Sequence, residues 1–276
     1  MEKISDYGTY TDGMRKSMTD KTWFLNMIDG AKEIVDYGCA DGALLEYIRD
    51  AMPGVFDLTG IDIDEKMLHL AADRLSDGTH DPVMLTQPEP FKDVCGEYTH
   101  SACLNCGSVI HEVYSYGTSE SIEKFWDFVF NSGFQYIAIR DMAMSKIDIL
   151  ASDAVMDDTL RKISNYNYGY PAAGKRFNDF LNYINPLGSL SASEWIWRDI
   201  IHYLLKYRYV TNWDREMREN YLPLLTEEIL LKIPSNYRVK YYEHYTLPYL
   251  KDQVMNDFGI DLNTKTHYKL LLERVD

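Results

Sequence analysis

The sequence predicts an α/β fold: a doubly wound, mostly parallel sheet with a helical insertion late in the chain. Three observations predict it. Strand and helix signals alternate through residues 1–142. Strand signals then stop over 143–235, where the spacing is helical. Two strands return within 236–276, joined by a short helix. The implied organisation is a core built from 1–142 and 236–276, with 143–235 inserted between the fifth strand and the final pair. A length of 276 residues at 46% apolar suits one elaborated domain with a real core.

Each element has its own warrant. Glu33-Ile34-Val35-Asp36-Tyr37 is a short apolar strand, and Gly38 to Gly42 is a glycine-bearing turn. Ala43 to Ile48 has helical spacing. Asp57 to Ile61 is the second strand, and Asp64 is placed to cap the helix that opens at Glu65. Pro82 to Leu85, His100 to Gly107 and Phe134 to Ile139 are the third, fourth and fifth strands, and Ser119 to Phe130 is an amphipathic helix before the last of them. In the insertion, helical segments lie at Ile147–Ile163, Ser193–Lys206 and Thr226–Lys232, and the tyrosine-rich stretch 165–171 reads as loop. The final strands are Arg238–Tyr245 and Thr266–Leu272, around a helix from Pro248 to Phe258.

The chemistry concentrates at the first turn. Val35-Asp36-Tyr37-Gly38-Cys39-Ala40-Asp41-Gly42 closes a strand and opens a helix. Glycines there let a backbone approach a ligand, and a helix start offers N–H donors. Asp62 follows about 20 residues on, at the end of the second strand, where an acidic side chain accepts from both hydroxyls of a ribose. The turn is not the G-x-G-x-x-G form that suits a dinucleotide pyrophosphate.

These residues resemble the class I S-adenosylmethionine-dependent methyltransferases. The resemblance covers Asp36–Gly42, Gly60–Leu68 and Leu104-Asn105-Cys106-Gly107-Ser108-Val109-Ile110-His111-Glu112-Val113. It extends to the terminal strands, which look like that family's antiparallel pair at the edge of a seven-stranded, Rossmann-like sheet. It implies S-adenosylmethionine as cofactor and S-adenosylhomocysteine as product. It also implies roles for single residues. Gly38, Cys39, Ala40 and Gly42, with Asp36, would line the methionine part. Asp62 would hold the ribose, Ile63 and Met67 would flank adenine, and Asn105 would lie near the sulfonium. The chain departs from the family at Ala40, where the commonest turn has glycine, and at Gln87, where an acidic residue often faces the adenine amine. Met67, on a helix face, reads equally as core.

An oxygen or nitrogen acceptor needs a proton acceptor near neutral pKa. His111 is best placed, just past the fourth strand, with Glu112 to orient it or act itself. Tyr114 and Tyr116 would shape a substrate pocket. The competing reading makes His111 a cap of the following segment. The insertion is rich in tyrosine and tryptophan, which suits an aromatic-walled substrate cap, although stripes such as Trp197–Ile201–Leu204–Leu205 more often form core. Tyr7 to Tyr10 with Met14 and Arg15 are placed to fold over the cofactor as a lid. Cys103, Cys106, His100 and His111 suggest zinc by spacing. Strand geometry argues against it, because positions three apart on a strand face opposite sides. No metal is expected.

The formal charge is −15, from 28 basic and 43 acidic side chains. Residues 1–142 carry 25 acidic and 11 basic groups, whereas 143–235 carry 12 and 11. The acidity thus belongs to the core, and a nucleic-acid or protein acceptor stays open beside a small molecule. Nucleobase-amine methylation is disfavoured by the absence of an Asp/Asn-Pro-Pro-aromatic sequence, and cytosine-carbon methylation by the absence of Pro-Cys. A binding module that keeps the fold without turnover is the third reading. The N-terminus lacks a signal-peptide core, no run reaches the length of a membrane span, and the four cysteines form no disulfide framework, so a cytoplasmic setting without membrane partners is expected.

Overall fold

The central strands are buried along their length without alternation, as expected for parallel strands covered on both faces. In the computed structural model, which describes residues 17–76, 83–86, 100–166, 177–179, 193–209 and 212–275, these are β1 (Glu33–Tyr37), β4 (Ala102–Gly107) and β5 (Tyr136–Met142). With β2 (Asp57–Ile61), β3 (Val83–Leu85), β6 (Tyr237–Tyr245) and β7 (His267–Arg274) they form one sheet in the order β3-β2-β1-β4-β5-β7-β6. The β1–β2, β2–β3, β1–β4 and β4–β5 pairs are parallel. Arg274 N–H donates to Gln135 O at one end of β7 and Ala143 N–H to Thr266 O at the other, so β7 runs antiparallel to β5. Val275 to Asn236 and Thr266 to Tyr245 do the same for β6.

The strand order reverses between β1 and β4. Their carboxyl ends therefore bound a crevice at the switch point of the sheet, the place where ligands bind in open α/β sheets. Register across the crevice sets Asp36 directly beside Asn105.

The described residues divide into two compact units. One holds the chain up to Asp141, with 233–243 and 269–275; the other holds 142–232 and 244–268. In the first unit the short helix α1 (Met18–Lys21) precedes β1, and α2 (Ala43–Ala51) follows it, burying Ala43, Leu44, Leu45 and Ile48. In α3 (Glu65–Leu75), Asp64 caps the start by accepting from Lys66 N–H at 3.0 Å. Gly42 is required here by packing: at φ +73°, a Cβ on it would stand 2.9 Å from Ala71 Cβ. Next come α4 (Ile110–Tyr116) and α5 (Ser119–Asn131), the latter capped by Thr118 and burying Phe125, Phe128 and Val129.

The second unit is helical: α6 (Asp153–Asn165), α7 (Ser193–Lys206), α8 (Trp213–Arg218), α9 (Thr226–Leu231) and α10 (Pro248–Phe258). The helix expected from Ile147 starts only at Asp153. Asp148 instead closes a turn with Ser145, its N–H bonding Ser145 Oγ at 3.2 Å while its carboxylate accepts from Lys265 N–H at 3.2 Å. Side chain–backbone bonds of this kind compete with a helix, and Ser152 then caps the real start. Ile147 is left 81% exposed. Trp197, Ile201, Leu204 and Leu205 are buried together with Tyr203, Tyr207 and Tyr221. These aromatics are core, the reading that helical spacing favours over a pocket wall; Tyr168, Tyr170 and Tyr183 lie outside the described residues. Among the described residues no helix is long and apolar enough to cross a membrane.

Candidate active site

The turn after β1 is held by its own backbone. Gly38 and Cys39 N–H both donate to Ile61 O, at 2.7 and 3.0 Å, and Gly42 N–H donates to Cys39 O at 2.9 Å. Ala43 N–H reaches Asp41 Oδ1 at 3.3 Å. The donors expected to meet a ligand are therefore engaged internally. Gly38 serves the same end: at φ +80°, a Cβ there would meet Val109 Cγ2 at 2.8 Å. Cys39 packs against Gly60, where a Cβ would lie 2.7 Å from its Sγ, so its side chain is buried away from any ligand.

Asp62 ties the first two turns together. Its Oδ2 accepts from Ala40 N–H and its Oδ1 from Asp64 N–H, each at 2.9 Å. Burial raises its pKa, against the pull of these backbone bonds. A carboxylate with two bonds keeps further lone pairs for a diol. Ala40 adopts φ +47°, a left-handed conformation that strains any residue but glycine. That strain costs about 1–2 kcal/mol. Glycine adds freedom to the unfolded chain worth about 0.4–1 kcal/mol. Ala40→Gly is therefore expected to raise the unfolding free energy by roughly 1 kcal/mol or less, measured by urea titration. A loss of stability would mean that the methyl group is packed.

At the switch point, Asn105 Nδ2 donates to Asp36 Oδ1 at 2.7 Å, and both residues are buried. Burial pushes the Asp36 carboxyl up to about 6; the Asn105 bond and Lys21 oppose the rise and Asp62 adds to it. Asn105 Oδ1 is a buried acceptor without a hydrogen-bond partner among the described residues. Ile63 is 69% exposed at the lip, whereas Met67 is buried, in line with the core reading of its helix face. Gln87 lies outside the described residues, as does the expected lid, Tyr7 to Tyr10 with Met14 and Arg15.

His111 opens α4 and is buried. Its Nδ1 lies 2.8 Å from Asp141 Oδ1. Asp141 Oδ2 accepts from the N–H groups of Ile110 at 2.7 Å and His111 at 3.2 Å. Asp141, at the end of β5, thus caps α4 and orients the imidazole at once. Glu112 follows on α4, close enough to Lys21 to stabilise its charge. Tyr114 OH accepts from Trp126 Nε1 at 3.0 Å, which ties α4 to α5, and Tyr116 is partly exposed. Cys103 and Cys106 both lie within β4, three positions apart. Burial drives both thiols far above their ordinary range, opposite to what a metal thiolate needs.

The sequence reading missed Asp141, Lys21 and Arg140. Arg140 is buried and bridges Asp20 Oδ2, at 2.9 Å from Nε, to Ser108 Oγ, at 2.9 Å from Nη1. A detectable signal existed for two of them: Arg140-Asp141 is a charged pair ending an apolar run, at the end of a strand where ligands bind.

No protein-family model matches the chain, and no curated protein matches it by sequence. Solved structures do. A SAM-dependent methyltransferase from Archaeoglobus fulgidus aligns over 98% of this chain and 100% of its own, at 11% identity and TM-score 0.50. The pyocyanin biosynthetic protein PhzM aligns over 99% of this chain and 60% of its own, at 12% identity and TM-score 0.50. The plantazolicin methyltransferase BpumL, solved with SAH, aligns over 98% and 87% at 14% identity and TM-score 0.46. The strand order, the antiparallel edge pair and the first two alignments lead to one conclusion: the chain has the fold of the SAM-dependent methyltransferases.

Proposed function

We propose that the chain is an S-adenosylmethionine-dependent methyltransferase that moves a methyl group to an oxygen or nitrogen nucleophile of a small molecule or metabolite. One observation supports the reading: a buried carboxylate beside an acceptor-bearing amide lies at the switch point of this fold, with a carboxylate-oriented histidine opening the helix that follows β4. The residues fit the cofactor. Asn105 Oδ1, an orphaned acceptor, and Asp36 suit the ammonium of the methionine part. Asp62 suits the ribose hydroxyls, and exposed Ile63 suits an adenine face. When bound, the cofactor supplies an electrophilic methyl group on a sulfonium.

The chain's own residues supply alignment and proton transfer. Alignment of nucleophile, carbon and sulfur is most of the catalysis in such a displacement. Asp141 accepts the Nδ1 proton of His111, so Nε2 is the basic nitrogen that takes the acceptor's proton. Asp141 then stabilises the imidazolium, as in other carboxylate–histidine pairs. Tyr116 suits a pocket wall. The buried unpaired thiols Cys39, Cys103 and Cys106 support a reducing, cytoplasmic setting. The near-neutral charge of 143–235 keeps RNA or protein as the alternative acceptor.

Calorimetry with S-adenosylmethionine and S-adenosylhomocysteine tests the premise. Both are expected to bind with one site per chain, and failure of both ends the reading. A screen of hydroxyl and amine compounds for homocysteine release then separates an enzyme from a binding module.

A further inference from the structure

Gly107 and Ser108 interrupt a buried stretch. Every other residue from Ala102 to His111 is buried, so Ser108 carries the one polar side chain there that is not shut off from solvent. The turn they form lies at the switch point. A Cβ on Gly107 would stand 3.2 Å from Asn105 Nδ2, and a Cβ on Gly38 would stand 2.8 Å from Val109 Cγ2. The turn thus closes on the Asn105 amide and on the turn after β1. Ser108 adopts φ +62°, a left-handed conformation that glycine takes freely and serine does not. The chain nevertheless places its glycine at 107 and a serine at 108.

Arg140 holds this conformation. It pairs with Gly107 in the β4–β5 register. Ser108 N–H donates to Arg140 O at 2.7 Å, and Arg140 Nη1 donates to Ser108 Oγ at 2.9 Å. The arginine is buried and is itself fixed by Asp20. Asp20 Oδ2 takes its Nε at 2.9 Å and its Nη2 at 2.8 Å, while Lys269 Nζ reaches Oδ1 at 2.7 Å. Strain of this kind persists where the surroundings over-determine it, and it gathers at ligand sites. The Ser108 oxygen accepts from a cation, so its proton is left to donate, and a donor backed in this way is strengthened. Among the described residues no acceptor takes that proton. The nearby carboxylates have other donors: Asp36 is held by Asn105, and Asp141 by His111 and two amides of α4.

We infer that Ser108 binds a carboxylate of the methyl-accepting molecule, with Arg140 as the positioning residue behind it. The inference rests on the methyltransferase reading and narrows its small-molecule acceptor to an acid. A carboxylate accepts and does not donate, which matches a hydroxyl whose oxygen already accepts from Arg140. An ionised oxygen also gains most from such a donor, because charge-assisted hydrogen bonds are the stronger kind. A cationic group on the acceptor gains nothing from the Ser108 proton. Arg140 acts through Ser108: two of its nitrogens go to Asp20 and the third to the serine oxygen.

Two probes of nearly equal shape test this: benzoate, which only accepts hydrogen bonds, and the benzamidine cation, which only donates them. Each is titrated near neutral pH into the full chain saturated with S-adenosylhomocysteine. Ser108→Ala is expected to weaken benzoate by about tenfold or more, the scale of one hydrogen bond to a charged group, and to leave benzamidine and S-adenosylhomocysteine within about twofold. Ser108→Gly suits φ +62° and also lacks the hydroxyl, so it is expected to do the same even if Ser108→Ala folds poorly. Arg140→Lys keeps a cation for Asp20 but replaces the fork with a single point charge. It is expected to weaken benzoate too, and the double variant with Ser108→Ala to lose no more than Ser108→Ala alone. Losses that multiply in the double variant overturn the positioning role. Benzoate that fails to bind the wild type, or binds both serine variants as tightly, overturns the inference. So does an equal fall for benzamidine, which makes Ser108 a packing residue, or a fall confined to S-adenosylhomocysteine, which makes it a cofactor contact. If S-adenosylhomocysteine does not bind the wild type, the methyltransferase reading itself has failed and this inference falls with it.

Discussion

Turnover of His111→Ala is expected to fall by about 10²–10⁴-fold, the range of a lost general base, while the Kd for S-adenosylhomocysteine stays within about twofold of the wild type. The division follows from geometry. His111 is fixed by Asp141, at the amino end of α4, whereas the groups that suit the cofactor are Asp36, Asn105 and Asp62 on other strands. Asp141→Asn separates orientation from basicity. The amide still offers an oxygen to Nδ1, but it no longer stabilises an imidazolium, so a loss of about 10²-fold or more is expected, together with an altered pH–rate profile. The variant also loses the charged cap of α4, worth about 1 kcal/mol of stability. Melting curves remove that contribution from the comparison. An unchanged rate in His111→Ala with the acceptor found in the screen would end the base assignment and leave His111 and Asp141 as a helix cap.

Local chemistry made much of the fold legible. The limits of β1 and β2 are visible because each is an apolar run stopped by a turn, and the start of α3 is visible because Asp64 is a strong cap. Asp36, Asn105 and His111 could be nominated because each ends or follows such a run. Their partners could not. Asp141 meets His111 across thirty positions of chain, and only the β4–β5 pairing brings them together. Lys21 ends a helix of four residues, too short for any periodicity, and its location depends on an ion pair between Asp20 and Arg140. The start of α6 was misread because apolar spacing runs on through a turn that Ser145 and Asp148 close with their side chains. The turn after β1 was read correctly in place but not in detail. Its amides bond to the protein, and its glycines answer to Val109 and Ala71.

Asp36→Asn is expected to strengthen the protein without cofactor and to weaken its hold on the cofactor. An ordinary aspartate titrates near 3.9, and burial carries Asp36 to about 6. The folded state therefore holds this proton more tightly than the unfolded chain. The stability this contributes is whole below about pH 4 and is lost as pH rises through about 6; beyond that, the buried anion costs about 3 kcal/mol at 1.36 kcal/mol per unit. Asparagine has the same shape and can still accept from Asn105 Nδ2. Urea titrations are thus expected to find Asp36→Asn more stable by up to about 3 kcal/mol near pH 8, the gap closing toward pH 4. A cationic ligand group prefers the anion, so wild-type affinity for S-adenosylhomocysteine is expected to rise from about pH 5 to about pH 7 and then level off. The variant is expected to bind roughly 10–100-fold more weakly near pH 8, with a flat profile, because one charged hydrogen bond is gone. Calorimetry across that range reads both. A variant that is less stable near pH 8 yet binds S-adenosylhomocysteine like the wild type would place Asp36 in the framework of the sheet and away from the ligand.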